Sequence, residues 1–129
     1  MKSDRMHYIA TPYSHDDPEV RRYRHDVALA IVAECTRLGE LAISPVVHSC
    51  AVADELASKG VEVSDFDDWR DWCLCLLDRC DVLVVAKVDG WRESVGVAAE
   101  IEHAKRYGKP IVYRDVKIAK REPAEAGSE

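Results

Sequence analysis

A chain of 129 residues is the size of one hydrophobic core, and two separate cores would be hard to build from it. Hydrophobic residues at 47% against 33% charged exclude a disordered composition. With 18 basic and 24 acidic residues the net charge is −6, which excludes the basic surface that nucleic-acid polymers and anionic membranes attract.

One mononucleotide stays compatible with that charge, because a single helix terminus can hold a phosphate. No apolar run approaches the roughly 18 residues of a membrane span, and the start MKSDRMHYIA lacks a signal-peptide core. A cytoplasmic protein without membrane partners is therefore expected. The five cysteines are odd in number and sit in apolar contexts, so reduced core residues are expected rather than disulfides. Cys73, Cys75 and Cys80, with His48 as an imagined fourth ligand, have poor zinc spacing, and no metal is expected.

In chain order, His7-Tyr8-Ile9-Ala10-Thr11 reads as a buried strand closed by Pro12. Asp16 with Glu19 resembles a capping box, and Pro18 suits a first turn, so a helix is predicted from about Asp17. Its apolar stripe is Val20, Tyr23, Val27, Ile31, Cys35 and Leu38, with Gly39 as the stop. Leu41 to Val47 reads as a second strand delivering His48 and Ser49, with Pro45 marking an irregular or edge segment.

Residues Cys50 to Lys59 are helix-like, and Asp65, Asp67 and Asp68 open an aromatic-rich helix to about Asp78. Val82 to Ala86 is a strand buried on both faces. A loop from Asp89 to Glu93 leads to a helix from Ser94 to Tyr107, Gly108 ends it, and Lys109 to Tyr113 forms a last strand. The order βαβααβαβ predicts a doubly wound parallel sheet of four to five strands flanked by helices, in one domain over residues 1–116. Residues 117–129, rich in Lys, Glu, Ala, Gly and Ser, are expected to form a flexible tail.

In such sheets ligands bind outside the carboxyl ends of the strands, which sorts the polar residues. Thr11, Tyr13, Ser14, His48, Ser49, Trp91, Arg92, Ser94, Asp71 and Glu100 fall on that side, and Asp78 on the other. The segment Gly90-Trp91-x-x-Ser94-x-Gly96-x-x-x-Glu100 follows a buried strand and opens a helix, so its first-turn amides, hydroxyl and glycine make an anion seat. Glu100, one to two turns further in, faces the sugar of a seated phosphate. Arg21, Arg22 and Arg24 either bind a phosphate or face water. Each residue also has an ordinary role: close packing for Gly96, surface pairing for Glu100, core packing for Tyr8, capping for His48.

These residues carry a resemblance. Tyr8-Ile9-Ala10-Thr11-Pro12-Tyr13-Ser14, Arg22-Tyr23, Ser44-Pro45 with His48-Ser49, and Gly90 through Glu100 resemble the nucleoside 2-deoxyribosyltransferase-like superfamily over about residues 6 to 115. Within it the chain resembles small bacterial and phage proteins with a G-W-x-x-S-x-G-x-x-x-E signature. The resemblance implies a flavodoxin- or Rossmann-like fold, Glu100 as a nucleophile at the anomeric carbon, Tyr8 orienting it, and Asp71 as the assisting acid. Thr11, Tyr13, Ser14, Arg22, His48, Trp91, Ser94 and Gly96 would then line the substrate.

True transferases of the superfamily carry an acidic residue six positions before the nucleophile. Here that position is Ser94, which resembles the hydrolases of deoxynucleoside 5′-monophosphates. The implied reaction is N-glycosidic hydrolysis of a (deoxy)nucleoside 5′-monophosphate without cofactor. A deoxyribosyltransferase and a non-catalytic nucleotide sensor are the alternatives. Relatives assemble as homo-oligomers, and a dimer is expected, with Trp69, Trp72 and Trp91 available for such contacts.

Overall fold

The computed structural model describes residues 4–62 and 66–116, with backbone only at 66–68. The expected tail at 117–129 and the helix opening at Asp65 lie outside the described residues. Four parallel strands, β1 (Met6–Ala10), β2 (Leu41–Ile43), β3 (Val82–Ala86) and β4 (Ile111–Arg114), form one sheet in the order β2-β1-β3-β4. The helices are α1 (Pro18–Arg37), α2 (Pro45–Ser58), α3 (Phe66–Asp78) and α4 (Val95–Arg106), with a short 3-10 turn at Trp91–Glu93. From β1 the chain moves one way to β2 and then crosses back to β3 and β4. The doubly wound parallel sheet is therefore present.

The two central strands alternate their side chains between two cores. Tyr8, Ala10, Leu83 and Val85 pack with Leu77 and Cys80 from the α3 side and Val97 and Ala104 of α4. Ile9, Val82, Val84 and Ala86 pack with Val27, Ile31 and Cys35 of α1. All five residues of β3 are buried, as a parallel strand covered on both faces requires.

The second strand, the helix after it and the first helix differ from expectation. The second strand stops at Ile43 instead of reaching Val47, because Ser44 caps a helix: its Oγ accepts from the Val47 amide at 3.2 Å, and Pro45 takes the first position, where no intrahelical N–H is needed. His48 and Ser49 consequently sit in the first turns of α2. Helix α1 is capped by Asp17, whose Oδ1 accepts from the Glu19 amide at 2.9 Å, and not by Asp16. Its inner stripe is Val27, Ala28, Ile31 and Cys35, while Tyr23 and Leu38 are 38% and 45% exposed.

Helices α1 and α4 end alike, with left-handed Gly39 and Gly108 letting the Glu40 and Lys109 amides donate back to the Cys35 and Ala104 carbonyls. These turns lie at the amino ends of β2 and β4, so the strand-to-helix loops gather at the opposite, carboxyl edge. There the order reverses between β1 and β3, opening a crevice between the loops that leave them.

Candidate functional site

Tyr8 lies in the middle of β1 on the face covered by α3 and α4, and it has no solvent exposure. Val97, Glu100 and Ala104 recur at helical spacing on α4 and form its buried stripe. That stripe turns the Glu100 carboxyl toward the sheet, where the Tyr8 hydroxyl donates a hydrogen bond to Oε2. Burial disfavours the charged form and pushes the Glu100 carboxyl up to about 7, with the tyrosine bond opposing the shift. Burial and the neighbouring carboxylate hold Tyr8 far above its ordinary value, so it remains a neutral donor.

Cys73 of α3 completes this cluster. Its thiol is pushed up to about 11, chiefly by burial and then by the Glu100 charge, while an interaction with the Tyr8 hydroxyl pulls it down. At neutral pH the cluster therefore holds a phenol, a thiol and a carboxyl poised between its two protonation states.

The loop after β3 turns through Gly90, whose φ of +91° is left-handed and suits glycine. After the 3-10 turn, Ser94 caps α4 by accepting from the Val97 amide at 3.1 Å. The Val95 and Gly96 amides occupy first-turn positions that have no intrahelical acceptor. Trp91 packs against the core and Tyr113, its ring centroid 5.7 Å away, and the Arg92 guanidinium lies 4.7 Å above the Trp91 ring. A cleft of about 290 Å³ runs along residues 87–93.

On the β1 side of the crevice, Thr11 is buried and its Oγ1 has no hydrogen-bond partner among the described residues. Tyr13 is half-buried, pushed up to about 12 first by burial and then by its bond with Cys50 of α2. Ser14 is exposed, and its carbonyl accepts from Arg24 Nη1 at 2.9 Å. Arg22 is exposed on the outer side of α1. Asp71 is exposed on α3, and the residue of that helix which meets Tyr8 and Glu100 is Cys73. His48 is exposed and stacked on Trp72 at 4.6 Å and 7°, with Trp69 edge-on to Trp72.

The structure thus brings Tyr8 and Glu100 together and sets Ser94, Gly96 and Trp91 on the same strand-to-helix loop and helix start. It keeps Asp71 and Arg22 outward. Of the residues of the cluster and crevice, the sequence marks Arg24 only as one of three arginines that bind a phosphate or face water, and Cys73 only as a core residue or an unfavoured metal ligand. Arg24 shares the helical spacing of Val20, Val27, Ala28 and Ile31, and Cys73 that of Leu77 and Cys80. That spacing was the available signal for both.

At the far edge His103 and Asp78 join α4 to α3 at 2.6 Å, beside a cleft of about 660 Å³ that also includes Lys109. Among the described residues no group of three or more His, Cys, Asp or Glu is disposed to hold a metal, and Cys73, Cys75 and Cys80 diverge into half-buried, exposed and buried surroundings. No described helix is long and apolar enough to cross a membrane.

A family model described as a domain of unknown function, DUF1937, matches residues 5–115. The chain belongs to the DUF1937 family. The match runs from the residue before β1 to the residue after β4, so the DUF1937 domain takes in the whole sheet and every candidate residue above. No curated protein matches this DUF1937 chain.

Proposed function

We propose that the protein hydrolyses the N-glycosidic bond of a (deoxy)nucleoside 5′-monophosphate, with Glu100 as the nucleophile. The observation that carries the reading is the buried Tyr8–Glu100 pair beside the helix start capped by Ser94. A Glu100 carboxylate oxygen attacks the anomeric carbon as the bond to the base breaks, and the base leaves with the electron pair and takes up a proton. Water then cleaves the glycosyl ester, releasing the sugar phosphate and restoring the carboxylate.

The raised value of Glu100 fits this role, since a carboxylate held in a poorly solvated pocket gains most when positive charge develops on the sugar. Tyr8 orients the attacking group. Asp71, expected to assist as an acid, is exposed on the side of α3 turned away from Cys73, so on this reading the departing base takes its proton from water. The amides of Val95 and Gly96 receive the phosphate, and the Ser94 hydroxyl, already an acceptor for the Val97 amide, keeps its proton to donate.

A panel of nucleoside and deoxynucleoside 5′-monophosphates, with free base measured by chromatography, tests the reading. Base release is expected from at least one member and at least 100-fold less from Glu100→Ala. No release from any member, or release undiminished in that variant, overturns it. Exchange of one base for another when a second base is added would mark a transferase instead.

A second reading is a non-catalytic nucleotide-binding module, favoured by the depth of Glu100, which is only 8% exposed. On that reading Glu100 is a structural acid, and nucleotides bind without product in both the parent protein and Glu100→Gln.

A further inference from the structure

We infer that Arg24 is the residue that selects a phosphomonoester at this crevice, an assignment that rests on the nucleotide reading of the site. Arg24 stands on the inner side of the second turn of α1, half-buried, and reaches both loops that border the switch point. Its Nη1 donates to the Ser14 carbonyl after β1 at 2.9 Å. Its Nη2 lies against Gly90 after β3, so closely that a Cβ there would stand 2.5 Å from it. The absent side chain at Gly90 is what admits the guanidinium.

The charge of Arg24 is not neutralised. The protein carries six more acidic than basic residues, yet no carboxylate pairs with Arg24 among the described residues, and only Nη1 has an acceptor. Partial burial of a guanidinium without a counter-ion is costly. A planar fork with open donors, held from behind by a carbonyl, matches two oxygens of a phosphate. The neighbouring arginines differ: Arg21 is committed to the His15 and Asp16 carbonyls, and Arg92 lies over Trp91.

A second group at the same edge lacks a partner. Thr11 follows β1 directly, is more than nine-tenths buried, and its Oγ1 has no hydrogen-bond partner among the described residues. An orphaned hydroxyl where the loop leaves β1, and at the loop's far end an unpaired guanidinium against the glycine turn of β3, describe a place where an anion supplies the missing acceptors. A nucleoside lacking the phosphate would leave Arg24 as it stands.

Calorimetric titration of the full chain with inorganic phosphate, deoxyribose 5-phosphate, nucleoside 5′-monophosphates and the matching nucleosides tests the assignment. Phosphate-bearing ligands are expected to bind more tightly than nucleosides, with affinity falling as salt is raised. Arg24→Gln, which keeps a donor for the Ser14 carbonyl, should weaken them at least 10-fold and leave nucleoside affinity unchanged, whereas Arg106→Gln at the far end of α4 should change neither. Equal affinity of Arg24→Gln and the parent protein for every phosphate ligand, or no phosphate binding by the parent, overturns it.

Should the variant fail to fold, modification of the parent protein by phenylglyoxal decides: phosphate should protect Arg24 and not Arg106, and equal modification with and without phosphate counts against the role. Binding that depends on Arg24 without base release would remove the glycosidase reading and leave Arg24 in place. Base release with an unchanged KM in Arg24→Gln would do the reverse.

Discussion

Glu100 is a carboxyl that its surroundings prefer neutral, and the sign of that preference can be followed through pH. Its native value of about 7 exceeds the ordinary carboxylate value, so between roughly pH 4.5 and 7 the native state binds more protons than the unfolded state. Stability should therefore fall as pH rises through that window, by roughly 3 kcal/mol in all. Glu100→Gln removes the titration and should be stabilised relative to the parent at pH 8 but not at pH 5, read by urea denaturation at both values. A parent and variant with parallel pH profiles would contradict the buried-acid description. On the proposed glycosidase reading catalysis runs the opposite way, because a carboxylate nucleophile must be ionised: kcat/KM should rise with an apparent value near 7, and Tyr8→Phe, which removes the bond favouring the carboxylate, should shift that limb upward.

The same residue scale shows where sequence reading stops. Glu100 is legible because a charged residue recurs on the apolar stripe Val97, Ile101 and Ala104, and its neighbours in the signature mark a helix start. Arg22 and Arg24 both lie in the first turns of an amphipathic helix; the spacing to Val27, Ala28 and Ile31 favours Arg24 as the inward one, and its place against Gly90 adds what the spacing does not give, the loop it reaches. Asp71 and Cys73 differ by two positions on α3, about 200° of helix, so the same helix shows the thiol to Tyr8 and the acid to solvent.

At the scale of elements, β3, α4 and the glycine stops were readable because burial on both faces and helix termini leave local marks. The second strand was read too long because Val46 and Val47 favour strand, and the Ser44–Pro45 helix start outweighs them once the Ser44 hydroxyl takes the Val47 amide. Ser94 performs the equivalent duty for α4, which separates capping from ligand binding experimentally. Ser94→Asp keeps a good cap and should hold stability within about 0.5 kcal/mol of the parent protein, but it places a negative charge where a phosphate is expected. Thermal unfolding and nucleotide titration of this variant should diverge: unchanged melting with lost phosphate binding. Loss of neither would leave Ser94 a cap alone.

For the whole molecule, alternation of strands and helices sufficed to foresee the architecture, since right-handed crossovers leave few ways to arrange them. The strand order was not written locally, because β3 could have joined either edge of the β1–β2 pair. It joins beside β1, so β1 acquires its second neighbour only when residues 82–86 arrive. During synthesis, then, the first sixty residues can make a helix-covered strand pair but cannot close the layer on either face of β1, where Tyr8 and Ile9 wait for Leu83 and Val84. A ribosome-stalled nascent chain ending before β3 should be cleaved readily by protease, and one extending past β4 and clear of the exit tunnel should resist, making this a domain that closes its sheet only once its last strands have been synthesised.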